Sequence, residues 1–263
     1  MQRFALGIEF CGSRYRGWQT QQAGILSVQQ TLEQALSDIA NHPVIVHAAG
    51  RTDAGVHASN MVVHFDTSAV RAERGWVMGT NTRLPPDIAI RWIKAMPDGF
   101  HARFKAHARR YRYVLLNQQF RPALLAGQVT HVHQTLNVAN MQAAAAKLVG
   151  THDFSSFRAV ACQSNQPVRH VSHCQLIQHG QLLILDIQAN GFLHHMVRNI
   201  IGVLLDIGTG EQPVEWIDHL IDVKDRKAAG VTAPPDGLYF INAYYPDEFE
   251  LPDVPLGPVW LNL

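Results

Sequence analysis

An order of hydrophobic periods that runs along the chain twice limits the fold more than any other sequence feature. Residues 3–10 alternate apolar and polar as a strand. Ser27-Val28-Gln29-Gln30 is a capping box, and Val28, Leu32, Ala35, Leu36 and Ile39 follow at helical spacing. Residues 44–48 and 61–65 are apolar strands, 71–82 is a helix stopped by Leu84-Pro85-Pro86, and 88–93 is a strand. The first hundred residues therefore read β-α-β-β-α-β. The second half repeats the order. Residues 107–116 form a strand, and Asn137 caps a helix through Val149 with Gly150 behind it. Residues 168–178 and 181–188 form a hairpin about His179-Gly180. Residues 194–207 are an apolar helix, Pro213 opens another to Ile221, and 238–244 close as a strand. The expected fold is α+β. It has two ferredoxin-like halves, a mostly antiparallel sheet, helices on one face and a cleft at the seam near 98–106. The halves are placed at 1–104 and 105–246, with an extended Pro-rich tail at 247–263.

Composition narrows the class. Hydrophobic residues make up 47% of 263, enough for a core, and no block of like charge suggests disorder or a coiled coil. No stretch reaches the ~18–20 apolar residues of a membrane span, and the N-terminus does not read as a signal peptide. Cys11, Cys162 and Cys174 contain no C-x-x-C, which fits a reduced, cytoplasmic compartment. The net charge of +1 argues against a nucleic-acid partner until it is divided by segment. Residues 101–170 carry Arg103, Lys105, Arg109, Arg110, Arg112, Arg121, Lys147, Arg158 and Arg169 against Asp153 alone. Residues 204–263 carry eleven acids against three bases. A basic middle and an acidic end cancel. The basic segment is either a solvated face or a phosphate footprint.

Three segments hold residues that could do chemistry. Gly50 to Ala58 brings Arg51, Thr52, Asp53 and His57 into a short loop between apolar strands. It is either ordinary Asp/Gly turn chemistry or a catalytic loop on a rigid sheet. In Arg109-Arg110-Tyr111-Arg112-Tyr113, strand alternation puts Arg109, Tyr111 and Tyr113 on one face and Arg110 and Arg112 on the other. The tyrosines either pack a half-buried sheet or stack on bases. In the helix after Phe192, Val197, Ile200, Ile201 and Leu204 form the buried stripe and Arg198 lies at its edge. A partly buried arginine needs an anion, either a surface acid or a loop carboxylate such as Asp53. The fifteen histidines supply no zinc spacing, and Gly202 to Gly210 is no P-loop, so neither metal nor cofactor is expected.

Seven blocks in order resemble the TruA family of tRNA pseudouridine synthases. They are Gly17-Trp18-Gln19, Gly50 to His57, Phe100-His101-Ala102-Arg103-Phe104, Arg109 to Tyr113, Asp153-Phe154-Ser155-Ser156-Phe157, Phe192 to Asn199 and Gly237-Leu238-Tyr239. Phe10-Cys11-Gly12 departs from the family's tyrosine-aspartate-glycine. The resemblance implies isomerisation of uridine to pseudouridine at positions 38–40 of the tRNA anticodon stem-loop, by a homodimer without metal or cofactor. It makes Asp53 catalytic, Tyr111 the residue that stacks on the target base, Arg198 the partner of the aspartate, and Leu238 an apolar wall. Arg51, Arg14, Lys105, Arg109 and Arg110 are the expected RNA contacts, Arg51 as a side chain that could fill the space left by a flipped base. The competing readings are a non-catalytic RNA-binding protein on the same scaffold and a His-rich metallohydrolase.

Overall fold

A computed structural model describes residues 1–261 except positions 23, 161, 163 and 165. The first elements are β1 (Gln2–Phe10), α1 (Val28–Ala40), β2 (His47–Ala48), β3 (His57–Thr67), α2 (Glu73–Arg83) and β4 (Ile88–Met96). Then come β5 (Ala108–Asn117), β6 (Thr130–Val132), α3 (Val138–Ala146), β7 (Gly150–Asp153), β8 (Val168–His179) and β9 (Leu182–Ala189). Helices α4 (Met196–Thr209) and α5 (Trp216–Val223) and strand β10 (Leu238–Tyr244) complete the chain. The class is α+β and the strand pairings are mostly antiparallel. The chain forms two compact units, Met1–His107 with Tyr239–Leu263, and Ala108–Leu238.

In the first unit, β1 lies between β3 and β4 and pairs antiparallel with both. Phe4 faces Phe65 across the ladder, and α2 lays Trp76 onto both rings at 6.0 and 5.3 Å. On β1, Gly7 has no Cβ because the Trp92 indole crosses there to donate to Asn60 Oδ1. Ser27 caps α1 as its sequence requires, accepting the Gln30 N–H. Residues 44–46 do not extend β2. Their N–H groups go instead to α1 side chains: Val44 donates to Ser37 Oγ and Val46 to Glu33 Oε1.

The final strand, assigned from sequence to the second half, packs within the first unit. From Tyr239 onward it runs parallel to β3, with Tyr239 opposite His57. The tail is likewise no free arm. Phe249 is buried against Phe100, Leu261 is buried, and the Trp260 ring meets Tyr239.

The loop after β4 is anchored by four hydrogen bonds from three residues. Arg3 Nη1 donates to the Asp98 and Phe100 carbonyls, His64 Nδ1 accepts the Ala102 N–H, and Tyr245 donates to the Ala102 carbonyl. Burial lowers the His64 imidazole to about 4, helped by nearby His101, His47 and Arg3 and opposed by Asp66. The folded chain therefore keeps His64 neutral, whereas the unfolded chain protonates it near pH 6.5. The associated stability is complete above that pH and is lost as pH falls from 6.5 toward 4. Between pH 7 and pH 5 the cost is about 2 kcal/mol. Comparing the unfolding of wild type and His64→Gln at both pH values checks this. The variant is expected to lose most of the pH dependence, and an equal drop in both proteins contradicts the assignment.

In the second unit, β5, β9, β8 and β7 are neighbours in an antiparallel sheet, with β6 added parallel to β5. Asn137 caps α3 through the Asn140 N–H, but the helix ends at Ala146, three residues short of the sequence reading. Lys147, Leu148 and Val149 tighten into three-residue turns, and Gly150 opens β7 at φ 120° instead of closing the helix. Asp186 of β9 is buried (1% exposed) between two arginines of β5. Arg110 forks onto both carboxylate oxygens at 2.6 and 2.9 Å, and Arg112 Nε donates at 2.8 Å.

Candidate active site

The loop that carries Asp53 turns back from β2 to β3. Val56 N–H donates to the Asp53 carbonyl at 3.2 Å, and Gly55 at φ 83° supplies the left-handed position such a turn needs. The turn chemistry read from the sequence is therefore real, and it fixes the main chain of an ionisable residue. The segment after β1 braces this loop from behind. Trp18 N–H donates to the Thr52 carbonyl at 3.0 Å, and Gly55 N–H to the Tyr15 carbonyl at 3.3 Å. The Gly12 Cα lies against the Val56 carbonyl, where any Cβ would overlap it. A Cβ on Gly17, at φ 96°, would stand 2.6 Å from the Thr52 oxygen. Two glycines are thus required by close approach, and together they clamp the Asp53 loop at the backbone.

His57 ends the loop and starts β3. It is 2% exposed, lies against the Tyr239 ring at 4.7 Å, and accepts the Gly12 N–H on Nδ1 at 3.0 Å. A hydrogen bond with His57 draws the Cys11 thiol down to about 7, against the opposing effect of burial. Cys11 thus stands in the bracing segment, where the sequence departs from the family pattern. Tyr15 is tied below by its hydroxyl to Asp87 Oδ1 at 2.6 Å. Asp53 is half-buried, and Thr52 beside it is buried with no hydrogen-bond partner for its hydroxyl among the described residues.

Loss of the bracing geometry gives a sharp expectation. Gly17→Ala adds backbone strain of ~1–2 kcal/mol at a positive φ and pushes on Thr52. A shift near 1 Å in a reacting group costs about 10²-fold in rate. Catalytic turnover should fall by about that factor with substrate affinity unchanged. Wild-type turnover by a folded Gly17→Ala protein contradicts the clamp.

In the second unit the strand alternation holds. Arg110 and Arg112 share the Asp186 face. Tyr113, on the other face, is fully buried, with its hydroxyl bound by Thr130 Oγ1 at 2.6 Å and the Pro234 carbonyl at 2.7 Å. Burial pushes its phenol up despite the nearby Arg198 charge. The sheet-packing role considered for both tyrosines thus belongs to Tyr113. Tyr111 is half-buried and meets Phe192 edge-on at 4.8 Å and 77°.

Helix α4 begins after His195, which holds a left-handed φ of 62°, a strained value for a residue with a Cβ. Val197, Ile200, Ile201 and Leu204 are buried as their spacing requires. Arg198 is half-buried and locked to the loop before β10. Its Nε donates to the Ala233 carbonyl at 2.8 Å, and its own carbonyl accepts the Ala233 N–H at 3.1 Å. That loop comes close because Gly202 presents no side chain to the Val231 carbonyl. It is tied further by Arg226, whose guanidinium bridges Asn199 Oδ1 and Thr232 Oγ1. Gly237 lies against Val114 and Tyr113 and accepts the Val114 N–H, which seats the buried Leu238. Tyr111, Arg198 and Leu238 thus come from three segments that meet around the Tyr113 side of β5.

The expected RNA contacts divide. Arg51 and Lys105 are exposed, and Arg14 is 69% exposed with one long 3.4 Å bond to Asp87. Arg109 is half-buried and donates to the Asn190 carbonyl at 3.4 Å. Arg110 is engaged by Asp186. The roles of Gly12, His57 and the Ala233 loop were not read from the sequence. Gly17 was seen only as part of a family block.

Comparison with known proteins gives the family. A family model described as tRNA pseudouridine synthase matches residues 7–105 and 144–246, which contain the Asp53 loop and Arg198. A tRNA pseudouridine synthase A of Acinetobacter baylyi is 67% identical over 263 residues, covering 100% of this chain and 97% of the relative. Those of Acinetobacter baumannii strain AYE and Pseudomonas aeruginosa are 66% and 58% identical, covering 100% and 99% of this chain and 99% and 91% of the relatives. With the family's blocks in order and carried by these two units, the chain belongs to the TruA family of tRNA pseudouridine synthases.

Proposed function

We propose that this isomerase acts on uridines 38–40 in the anticodon stem-loop of tRNA, as a homodimer, with Asp53 as its catalytic carboxylate. The observation that carries the proposal is the bracing of the Asp53 loop, whose main chain is held at Thr52, Asp53 and Gly55. A carboxylate so held suits a reaction in which placement at one carbon decides the rate. The isomerisation breaks C1′–N1 and forms C1′–C5. The proton on C5 is lost and N1 gains one, so atoms balance without a co-reactant. Asp53 attacks C1′ or assists departure of the base, as carboxylates do in glycosyl transfer. The target leaves its stack first, and Arg51 fills the gap. Tyr111 offers a flat, positioned ring for the detached uracil, and its hydroxyl is a candidate acceptor for the C5 proton. Arg198 carries the positive charge that the family resemblance pairs with the aspartate, and Leu238 helps keep the site dry. Incubation with an unmodified tRNA transcript, followed by position-resolved mapping, tests this. Pseudouridine confined to positions 38–40, undiminished by EDTA, supports the proposal, and modification elsewhere in the tRNA overturns it.

A further inference from the structure

Stacking on a detached uracil needs a tyrosine ring in the right plane as well as the right place. On a strand, the backbone and χ1 fix where the Tyr111 ring sits, but the last torsion of an aromatic side chain is soft. Turning about it reorients the ring face and leaves the hydroxyl on the axis of rotation. The plane is therefore set by what the ring touches. Tyr113, on the same face of β5, has no such freedom, being fully buried and hydrogen-bonded to Thr130 and Pro234. Tyr111 is half-buried and meets Phe192 at 4.8 Å between centroids and 77° between planes. This is the edge-to-face geometry that aromatic quadrupoles favour.

Phe192 is itself well held, in the link from β9 to α4. Before it, the Asn190 N–H donates to the His170 carbonyl of β8 and Asn190 Oδ1 accepts the His170 N–H, both at 3.1 Å. The Asn190 carbonyl accepts from Arg109, on the strand that carries Tyr111, at 3.4 Å. After it, Leu193 is buried and its carbonyl accepts the Met196 N–H at 3.0 Å. Bonds to β8, β5 and α4 thus fix the main chain on both sides of the Phe192 ring. With the two planes 77° apart, a base lying flat on Tyr111 does not lie flat on Phe192. One ring stacks and the other holds it. We propose that Phe192 is a positioning residue that sets the plane in which Tyr111 receives the detached uracil. The inference rests on the role given to Tyr111 above. Phe192 acts through Tyr111 and leaves tRNA affinity, which phosphate contacts dominate, unchanged.

The test compares Phe192→Tyr, Phe192→Leu, Tyr111→Leu and the double variant Tyr111→Leu/Phe192→Leu. It reads turnover at a saturating unmodified tRNA transcript, affinity for that transcript, and thermal unfolding. Loss of the aromatic pair should slow turnover about tenfold. Phe192→Leu keeps an apolar side chain but no ring, so it should show that loss with affinity and unfolding temperature unchanged. Phe192→Tyr keeps the ring and should restore turnover. In Tyr111→Leu there is no plane left to set, so adding Phe192→Leu should slow the reaction no further. This comparison also decides the matter if Phe192→Leu unfolds at a lower temperature. A further tenfold loss in the double variant overturns the proposal, as does turnover in Phe192→Tyr no faster than in Phe192→Leu. Wild-type turnover in Phe192→Leu beside a slow Tyr111→Leu overturns the role of Phe192 and leaves that of Tyr111 standing. Wild-type turnover in Tyr111→Leu overturns both.

Discussion

Asp53→Asn is expected to abolish pseudouridine formation while leaving tRNA affinity and the fold close to wild type. Asparagine keeps the size of the side chain and still accepts hydrogen bonds. It cannot act as a carboxylate nucleophile or stabilise positive charge at C1′. Removing the reacting group of a catalytic unit lowers turnover by at least about 10⁴-fold. The backbone bonds that brace the loop involve Thr52, Asp53 and Gly55 main-chain atoms, so they survive the substitution. Single-turnover rates, tRNA binding and thermal unfolding separate the possibilities. A rate within about tenfold of wild type rejects Asp53 as the reacting group.

The largest effect on stability is expected at Asp186→Ala. Asp186 is 1% exposed, and the arginine side chains that hold it are 18% and 11% exposed. Burial would raise its carboxyl, but hydrogen bonds from Arg110 and Arg112 more than reverse this and hold it below the usual carboxylate range. Truncation removes the carboxylate that three hydrogen bonds hold between these two poorly solvated guanidiniums. Breaking a buried pair in this way costs about 3–5 kcal/mol, much of a domain's net stability of ~5–15 kcal/mol. The wild-type contribution is present above the unfolded carboxyl value near pH 4 and is lost as pH falls below it. Urea unfolding at pH 7 measures the first effect and an acid titration the second. A change under about 1 kcal/mol in Asp186→Ala would show that the two arginines find other partners.

These two residues differ in how legible they were. Asp53 stood out because an acid in a short loop between apolar strands has no packing purpose. Asp186 did not, because a lone acid in an apolar strand acquires meaning only from its register, which places it opposite Arg112 and diagonal to Arg110. Local signals read correctly: the Ser27 and Asn137 caps, the Leu84-Pro85-Pro86 stop and the buried stripe of α4. The errors came from partners distant in sequence. Residues 44–46 looked like a strand, but their donors are taken by Ser37 and Glu33 of α1. The last strand likewise finds a ladder partner far back in the sequence, at His57. Strands β6 and β7, at three and four residues, are too short for a period to show. Gly12 and Gly17 carry no sequence mark of the carbonyls pressed against them. Within the basic middle segment, composition does not reveal that Arg110 and Arg112 hold Asp186 inside the sheet.

The most direct test of the central claim follows the proton that the reaction must remove. A tRNA transcript tritiated at uridine C5 is incubated with the wild-type chain and with Asp53→Asn, and tritium in water is counted. Wild type should release tritium in step with pseudouridine formed, and Asp53→Asn should release none. Tritium release by Asp53→Asn at the wild-type rate would show that C5 is reached without this carboxylate, contradicting the role given to the braced loop.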